Sequence, residues 1–188
     1  MQTRISINKQ VSFEAAHRLR LHKGKCKSLH GHTYKLIVSA EQDPSYSGAH
    51  RREETGMVAD FGVLSKVIKQ VIFEGFVFIA GSKFAPTISV PFDHAIILNA
   101  KDPLTSVLEH SDCAKDLNLC KLLFEPTAEN MAILLMRRFQ DGLFNYERKD
   151  ILITKISLWE TETNFAIVEA KDIEIKNTKI RDIGGEIV

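Results

Sequence analysis

Between residues 5 and 42 apolar side chains recur at every second position in two stretches, and this alternation predicts two β-strands. Ile5, Ile7, Val11 and Phe13 define one side of a first strand over about 5–13, and Tyr34, Leu36, Val38 and Ala40 share a face of a second over about 32–42. A polar loop with Pro44, Ser45, Ser47 and Gly48 follows, and the period then lengthens to that of a helix. Asp60 is a natural N-cap for it, and Leu64, Val67, Ile68, Val71 and Ile72 form its apolar stripe. A second helix is predicted after Pro126, with Thr127 as N-cap, running through Met131, Leu135 and Phe139 to the region of Gly142. Ile151–Trp159 and Phe165–Ile175 are rich in β-branched residues, and Glu162-Thr163-Asn164 between them suits a hairpin connection. The predicted order is β-β-α-α-β-β. Residues 75–125 fit no single period and are broken by Gly81, Pro86, Pro91 and Pro103, so most of that stretch is expected to be irregular.

The chain has 188 residues with no repeat, Pro-rich tract or Gly/Ser linker, which predicts one domain spanning 1–188. At 44% hydrophobic and 26% charged residues it lies within the globular range. Lys and Arg number 25 against 24 Asp and Glu, a net charge of +1, so no strong field draws in nucleic acid or a membrane surface. The apolar runs are too short to cross a bilayer, and residues 1–10 carry no apolar core of a signal peptide. Cys26, Cys113 and Cys120 form no CxxC pair, so free thiols in a reducing, cytoplasmic setting are expected, with packing the default role for Cys113 and Cys120.

The chemistry concentrates at His30-Gly31-His32. Positions i and i+2 of a strand point to the same side, so two imidazoles face one point. His17, just after the first strand, supplies a third if the two strands pair as a hairpin. Three protein nitrogens with an open fourth position is the arrangement of catalytic zinc, whereas any one of the seven histidines taken alone reads equally well as a surface residue. Cys26 stands four residues before His30, and spacing leaves it open as a fourth ligand, an inert small side chain, or a nucleophile or base. Arg18, Arg20, Lys23, Lys25 and Lys27 put five cations and no acid between residues 18 and 27, a setting that favours a thiolate and an anionic ligand, or simply a solvated loop. Asp93 beside His94 is a pair in which a carboxylate can fix an imidazole tautomer. Glu160, at a strand end, can offer two oxygens to a guanidine-like ring edge.

In order, Phe13-Glu14-Ala15-Ala16-His17, Cys26 with three residues before His30-Gly31-His32, and the run Gly56 to Gly62 resemble the 6-pyruvoyl-tetrahydropterin synthase and 6-carboxytetrahydropterin synthase superfamily. Phe92-Asp93-His94 with Leu98-Asn99, Pro126 to Asn130, and Trp159-Glu160-Thr161 continue the match, over roughly residues 5–170. The resemblance implies the α+β tunnelling fold, a four-stranded antiparallel sheet with two helices on one face, assembled into a homo-oligomer such as a hexamer. It implies a zinc-dependent lyase acting on 7,8-dihydroneopterin triphosphate, with His17, His30 and His32 as the zinc ligands. Cys26, Asp93 and His94 then match the catalytic set, and Glu160 and Thr127 the pterin anchor. The Cys-to-His spacing and Gly-Met-Val-Ala-Asp-Phe-Gly place the chain nearest the 6-carboxytetrahydropterin synthases of queuosine biosynthesis, with the pyruvoyl-forming enzymes or a non-catalytic pterin- or metal-binding module as alternatives. Two departures stand out: Ala95 follows Asp93-His94 where many members have Lys, and the connection within about 77–125 is longer than usual.

Overall fold

The structure, a computed structural model, describes residues 5–46, 56–77 and 88–172. In chain order its elements are β1 (Ser6–His17), β2 (His30–Gln42), α1 (Phe61–Ile68), β3 (Phe76–Val77), β4 (Ile88–Ser89), β5 (Ala95–Asn99) and α2 (Pro103–Glu109). These are followed by β6 (Leu119–Leu122), α3 (Ala128–Asn145), β7 (Ile151–Trp159) and β8 (Phe165–Glu169).

β1 and β2 form an antiparallel hairpin in which Phe13 opposes Tyr34, and Val11 opposes Leu36. Opposed residues of such a pair share a face. The alternation in the sequence therefore gathers Phe13, Ala15, Tyr34, Leu36, Val38 and Ala40 into one buried surface. β7 adds Ile153, Ile156 and Leu158 to that surface, and β8 closes this side of the sheet, both strands antiparallel to their neighbours.

Helices cover the same surface. The Asp60 carboxylate accepts from the Gly62 N–H at 2.6 Å and starts α1, which continues beyond Ile68 as a π turn over Lys69–Glu74. Its predicted stripe, Leu64, Val67, Ile68, Val71 and Ile72, is buried throughout. α3 is capped by Thr127, as predicted, runs to Asn145, and packs Met131, Leu135 and Phe139 into the same core.

The sheet differs from the predicted four antiparallel strands. It has six, in the order β6-β5-β1-β2-β7-β8, and is mixed: β5 runs parallel to β1, and β6 parallel to β5. The order β-β-α-α-β-β is corrected accordingly, because 95–122 inserts β5, α2 and β6 between α1 and α3. The reason is physical. A short strand lying inside a sheet under a helical layer reads as an unbroken apolar run, here Ala95-Ile96-Ile97-Leu98, which has neither a strand's nor a helix's period. Pro103, expected to interrupt structure, is instead the first residue of α2 behind the Asp102 cap, where its missing N–H is harmless. Gly81 and Pro86 lie outside the described residues, as do 173–175 at the end of the predicted last strand, which here stops at Glu169.

Cys120 is buried in β6 as expected, but Cys113 is exposed, because it sits in the polar turn between α2 and β6 rather than on an apolar face. Among the described residues no helix is long and apolar enough to cross a membrane.

Candidate metal centre and active site

His17 ends β1 and His30 begins β2, and the hairpin register sets them directly opposite one another, with His32 opposite Ala15. All three imidazoles therefore emerge on the core side, at the loop end of the hairpin beyond the layer of Phe13 and Tyr34. Their ring centroids are 4.7, 4.9 and 5.2 Å apart, and one ring nitrogen of each lies within 4.8 Å of the others. Gly31, the strand residue between the two ligand positions, has only the Ala15 carbonyl near where a Cβ would sit, at 3.5 Å.

Each ring is held from behind. His17 Nδ1 is 2.7 Å from the Pro126 carbonyl oxygen, His30 Nδ1 is 2.8 Å from the Ser28 carbonyl oxygen, and His32 makes a backbone hydrogen bond with Glu160. An imidazole that donates one N–H to a carbonyl keeps the lone pair of the other nitrogen for a metal. The remaining nitrogen of His17, Nε2, is buried and has no hydrogen-bond partner. An orphaned polar atom in a core costs about 1–3 kcal/mol, and a metal ion bound by the three nitrogens removes that cost. Burial pushes the His17 pKa down to about 4 against the pull of the Pro126 carbonyl, and the neighbouring imidazoles lower it further. His32 is lowered too, first by burial and then by His30. Both rings are thus neutral and able to ligate near pH 7. The residues fit a tri-histidine metal site.

Glu160, the residue after β7, brings a carboxylate oxygen to 3.8 Å from His17 Nε2. Its pKa is raised, first by burial and next by the carboxylate of Glu129 in the first turn of α3, while His30 pulls it down. Glu129 lies within the Pro126 to Asn130 stretch, and nothing in its spacing along the chain shows that it acts on the distant Glu160. Thr127 borders the same corner, since its neighbour Pro126 supplies the carbonyl that holds His17. Its Oγ1 accepts from the Asn130 N–H at 3.3 Å, which leaves the hydroxyl proton available. Below the histidines, the Tyr34 hydroxyl is buried, and burial with the Glu160 charge raises its pKa.

Cys26 sits in a short turn, Lys25–Lys27, on the loop between the ligand-bearing strands, and the Leu19 N–H closes that loop on the Cys26 carbonyl at 2.8 Å. The five cations of this loop divide into two groups. Arg18 pairs with the buried Asp102 carboxylate at 3.0 Å and Arg20 with Glu125 at 2.7 Å, whereas Lys23, Lys25 and Lys27 are exposed and have no ion pair among the described residues.

Among the described residues neither Asp93 nor His94 makes a hydrogen bond or ring contact with the three histidines. The pair precedes β5, where His94 Nδ1 is 2.8 Å from Asp93 Oδ2. His94 borders a cleft of about 360 Å³ that Glu14, Gly31, His32 and Thr33 also line.

A mixed α+β sheet here carries three clustered imidazoles that could hold a metal ion, beside a half-buried carboxylate, an arrangement of the kind enzymes use. Its sequence matches the 6-pyruvoyl tetrahydropterin synthase family over residues 6–76 and 79–171, and the chain belongs to this family of enzymes. It is 33% identical over 159 residues to a 6-carboxy-5,6,7,8-tetrahydropterin synthase of Haemophilus influenzae, covering 85% of this chain and 94% of that one. A protein of the same name from Aquifex aeolicus is 29% identical over 85% of this chain and 94% of its own length. Among solved structures, an uncharacterised protein from Wolinella succinogenes shares the fold with a TM-score of 0.62 at 20% identity, covering 90% of this chain and 99% of that one. The 6-pyruvoyl tetrahydropterin synthase of Caenorhabditis elegans does so at 0.51 and 23% identity, over 89% of this chain and 96% of its own.

Proposed function

We propose that this chain is a zinc-dependent lyase that converts 7,8-dihydroneopterin triphosphate, with water, to 6-carboxy-5,6,7,8-tetrahydropterin, acetaldehyde and triphosphate, a step of queuosine and 7-deazaguanine biosynthesis. The observation that carries this reading is the convergence of His17, His30 and His32, the first two anchored through Nδ1, next to Glu160. Zinc held by these three rings would act as a Lewis acid on the hydroxyls of the substrate side chain. The rest is the work of the protein's own groups. Glu160 accepts the paired N–H groups of the amino-pyrimidine edge, with the Thr127 hydroxyl beside it. Cys26 takes and returns a proton at the side chain, from a short turn in a cationic loop. Lys23, Lys25 and Lys27 are the cations left for the triphosphate, since Arg18 and Arg20 are engaged.

Asp93 orients the His94 ring through Nδ1 so that Nε2 can exchange a proton. This pair makes no hydrogen bond with the metal ligands of its own chain among the described residues, and the proposed relay acts on the site of a second copy, within a homo-oligomer of a cytoplasmic enzyme. Zinc-loaded protein is incubated with 7,8-dihydroneopterin triphosphate and the pterin product is weighed by mass spectrometry. The 6-carboxy product is expected. A 6-pyruvoyl product would move the chain to the other branch of the family, and absence of turnover would leave a pterin- or metal-binding module.

A further inference from the structure

The turn that carries Asp93 and His94 is held from several sides. The Asp93 N–H donates to the Ile72 carbonyl in the π turn at 2.9 Å, and the Glu14 N–H donates to Asp93 Oδ1 at 3.0 Å. The His94 N–H donates to the Glu14 carbonyl at 2.6 Å. These bonds are needed, because His94 has φ +56°, a left-handed conformation that a residue with a side chain adopts only when its surroundings impose it.

One further support comes from a side chain. Asn118 Nδ2 donates to two carbonyl oxygens, that of Pro91 at 3.1 Å and that of Asp93 at 2.9 Å. Asn118 is itself locked, since its own carbonyl accepts from the Ile96 N–H at 2.8 Å where β6 begins to pair with β5. It belongs to the segment that is longer than usual in this chain. Of these contacts to the turn, the amide of Asn118 alone is made without a backbone atom of its own residue, so it can be removed by substitution without removing the strand.

We propose that Asn118 is a positioning residue: by bracing the Pro91 and Asp93 carbonyls it holds the left-handed turn in which the Asp93 carboxylate orients the His94 imidazole. Its effect on turnover rests on the reading of Asp93 and His94 as a proton relay, whereas its effect on the ring does not. When the brace is lost, Asp93 Oδ2 and His94 Nδ1 part, the ring is no longer restricted to the Nδ1–H tautomer, and Nε2 spends less time as the free acceptor.

The two effects are read separately. Zinc-loaded protein labelled with 15N-histidine is studied by long-range 1H–15N correlation, with the His94 signals assigned by their loss in His94→Ala. The native protein is expected to show the Nδ1–H tautomer at His94. Asn118→Ala should shift it toward the ordinary tautomer mixture, lower kcat by about 10- to 100-fold as a misplaced catalytic group does, and leave KM and zinc content near native. Asn118→Asp, which keeps the size but turns oxygens toward the two carbonyls, should do the same and serves if the alanine variant does not fold. Asn118→Ser, which keeps one donor, should recover part of both readouts. A native His94 tautomer in both the Ala and Asp variants would overturn the proposal. A shifted tautomer with native kcat, together with native kcat in His94→Ala, would sustain the positioning role and overturn the relay instead.

Discussion

His17 differs from the other two imidazoles in being almost fully enclosed, 1% exposed, with its pKa lowered to about 4. In metal-free protein the folded state therefore binds fewer protons at this ring than the unfolded chain does between about pH 4 and 6.5. The associated stability is complete above about pH 6.5 and is lost as pH falls toward 4, up to about 3 kcal/mol. Urea denaturation of zinc-free protein between pH 7.5 and 4.5 should show this loss, and His17→Gln should flatten the slope; parallel slopes would mean that the ring is not held neutral. Ligands and thiol should also separate. His30→Ala and His32→Ala are expected to lose the roughly one zinc per chain that the tri-histidine site implies. Cys26→Ala should keep it while turnover falls by about 10²- to 10⁴-fold. Zinc lost together with the thiol, measured by metal analysis, would make Cys26 a fourth ligand.

The N-terminus of α3 joins three roles in consecutive residues. Glu125 holds Arg20 and Asn99, Pro126 holds His17, and Thr127 caps the helix. Losing a Thr cap costs about 1 kcal/mol, so Thr127→Ala should lower unfolding stability by about that amount and also raise the KM for the pterin substrate. Thr127→Ser, which keeps the hydroxyl, should restore both. If Thr127→Ala is less stable but binds substrate as before, Thr127 is a cap and no anchor. The same scale explains what was legible beforehand. Long elements with one buried face, such as β1, β2, α1 and α3, print their period on the sequence. β5 and β6 do not, since β5 is five residues long and buried along most of its length, and the four residues of β6 are too few to show a period.

For the molecule as a whole, the Asp93–His94 pair precedes β5 on one flank of the β1–β2 hairpin, while the imidazole cluster stands at the hairpin's loop end. β6 and β8 are the outermost strands of the sheet, with no strand on their outer edges among the described residues, and β8 exposes Phe165 and Ile167. Open edges with apolar side chains are surfaces for pairing with another chain. If a site takes Cys26 from one copy and His94 from another, mixing refolded Cys26→Ala and His94→Ala chains should restore turnover in about a quarter of the sites on random assembly. Each variant alone should stay near its own low level. No recovery in mixed particles, verified by native mass spectrometry, would place both groups on one chain's site.

What the sequence determined by itself was whatever depends on residue type and short spacing. The HxH alternation aims two imidazoles one way because strand geometry has a period of two, and the caps at Asp60 and Thr127 mark helix starts because their side chains compete for free N–H groups. The tertiary structure decided everything that depends on distant neighbours. The register of β1 against β2 brings His17 to His30, the fold of α3 sets the Pro126 carbonyl behind His17 and Glu129 beside Glu160, and Arg18 and Arg20 find their carboxylates at Asp102 and Glu125. Such contacts join residues up to 109 positions apart. They arise from how whole elements pack, and local composition carries no record of them.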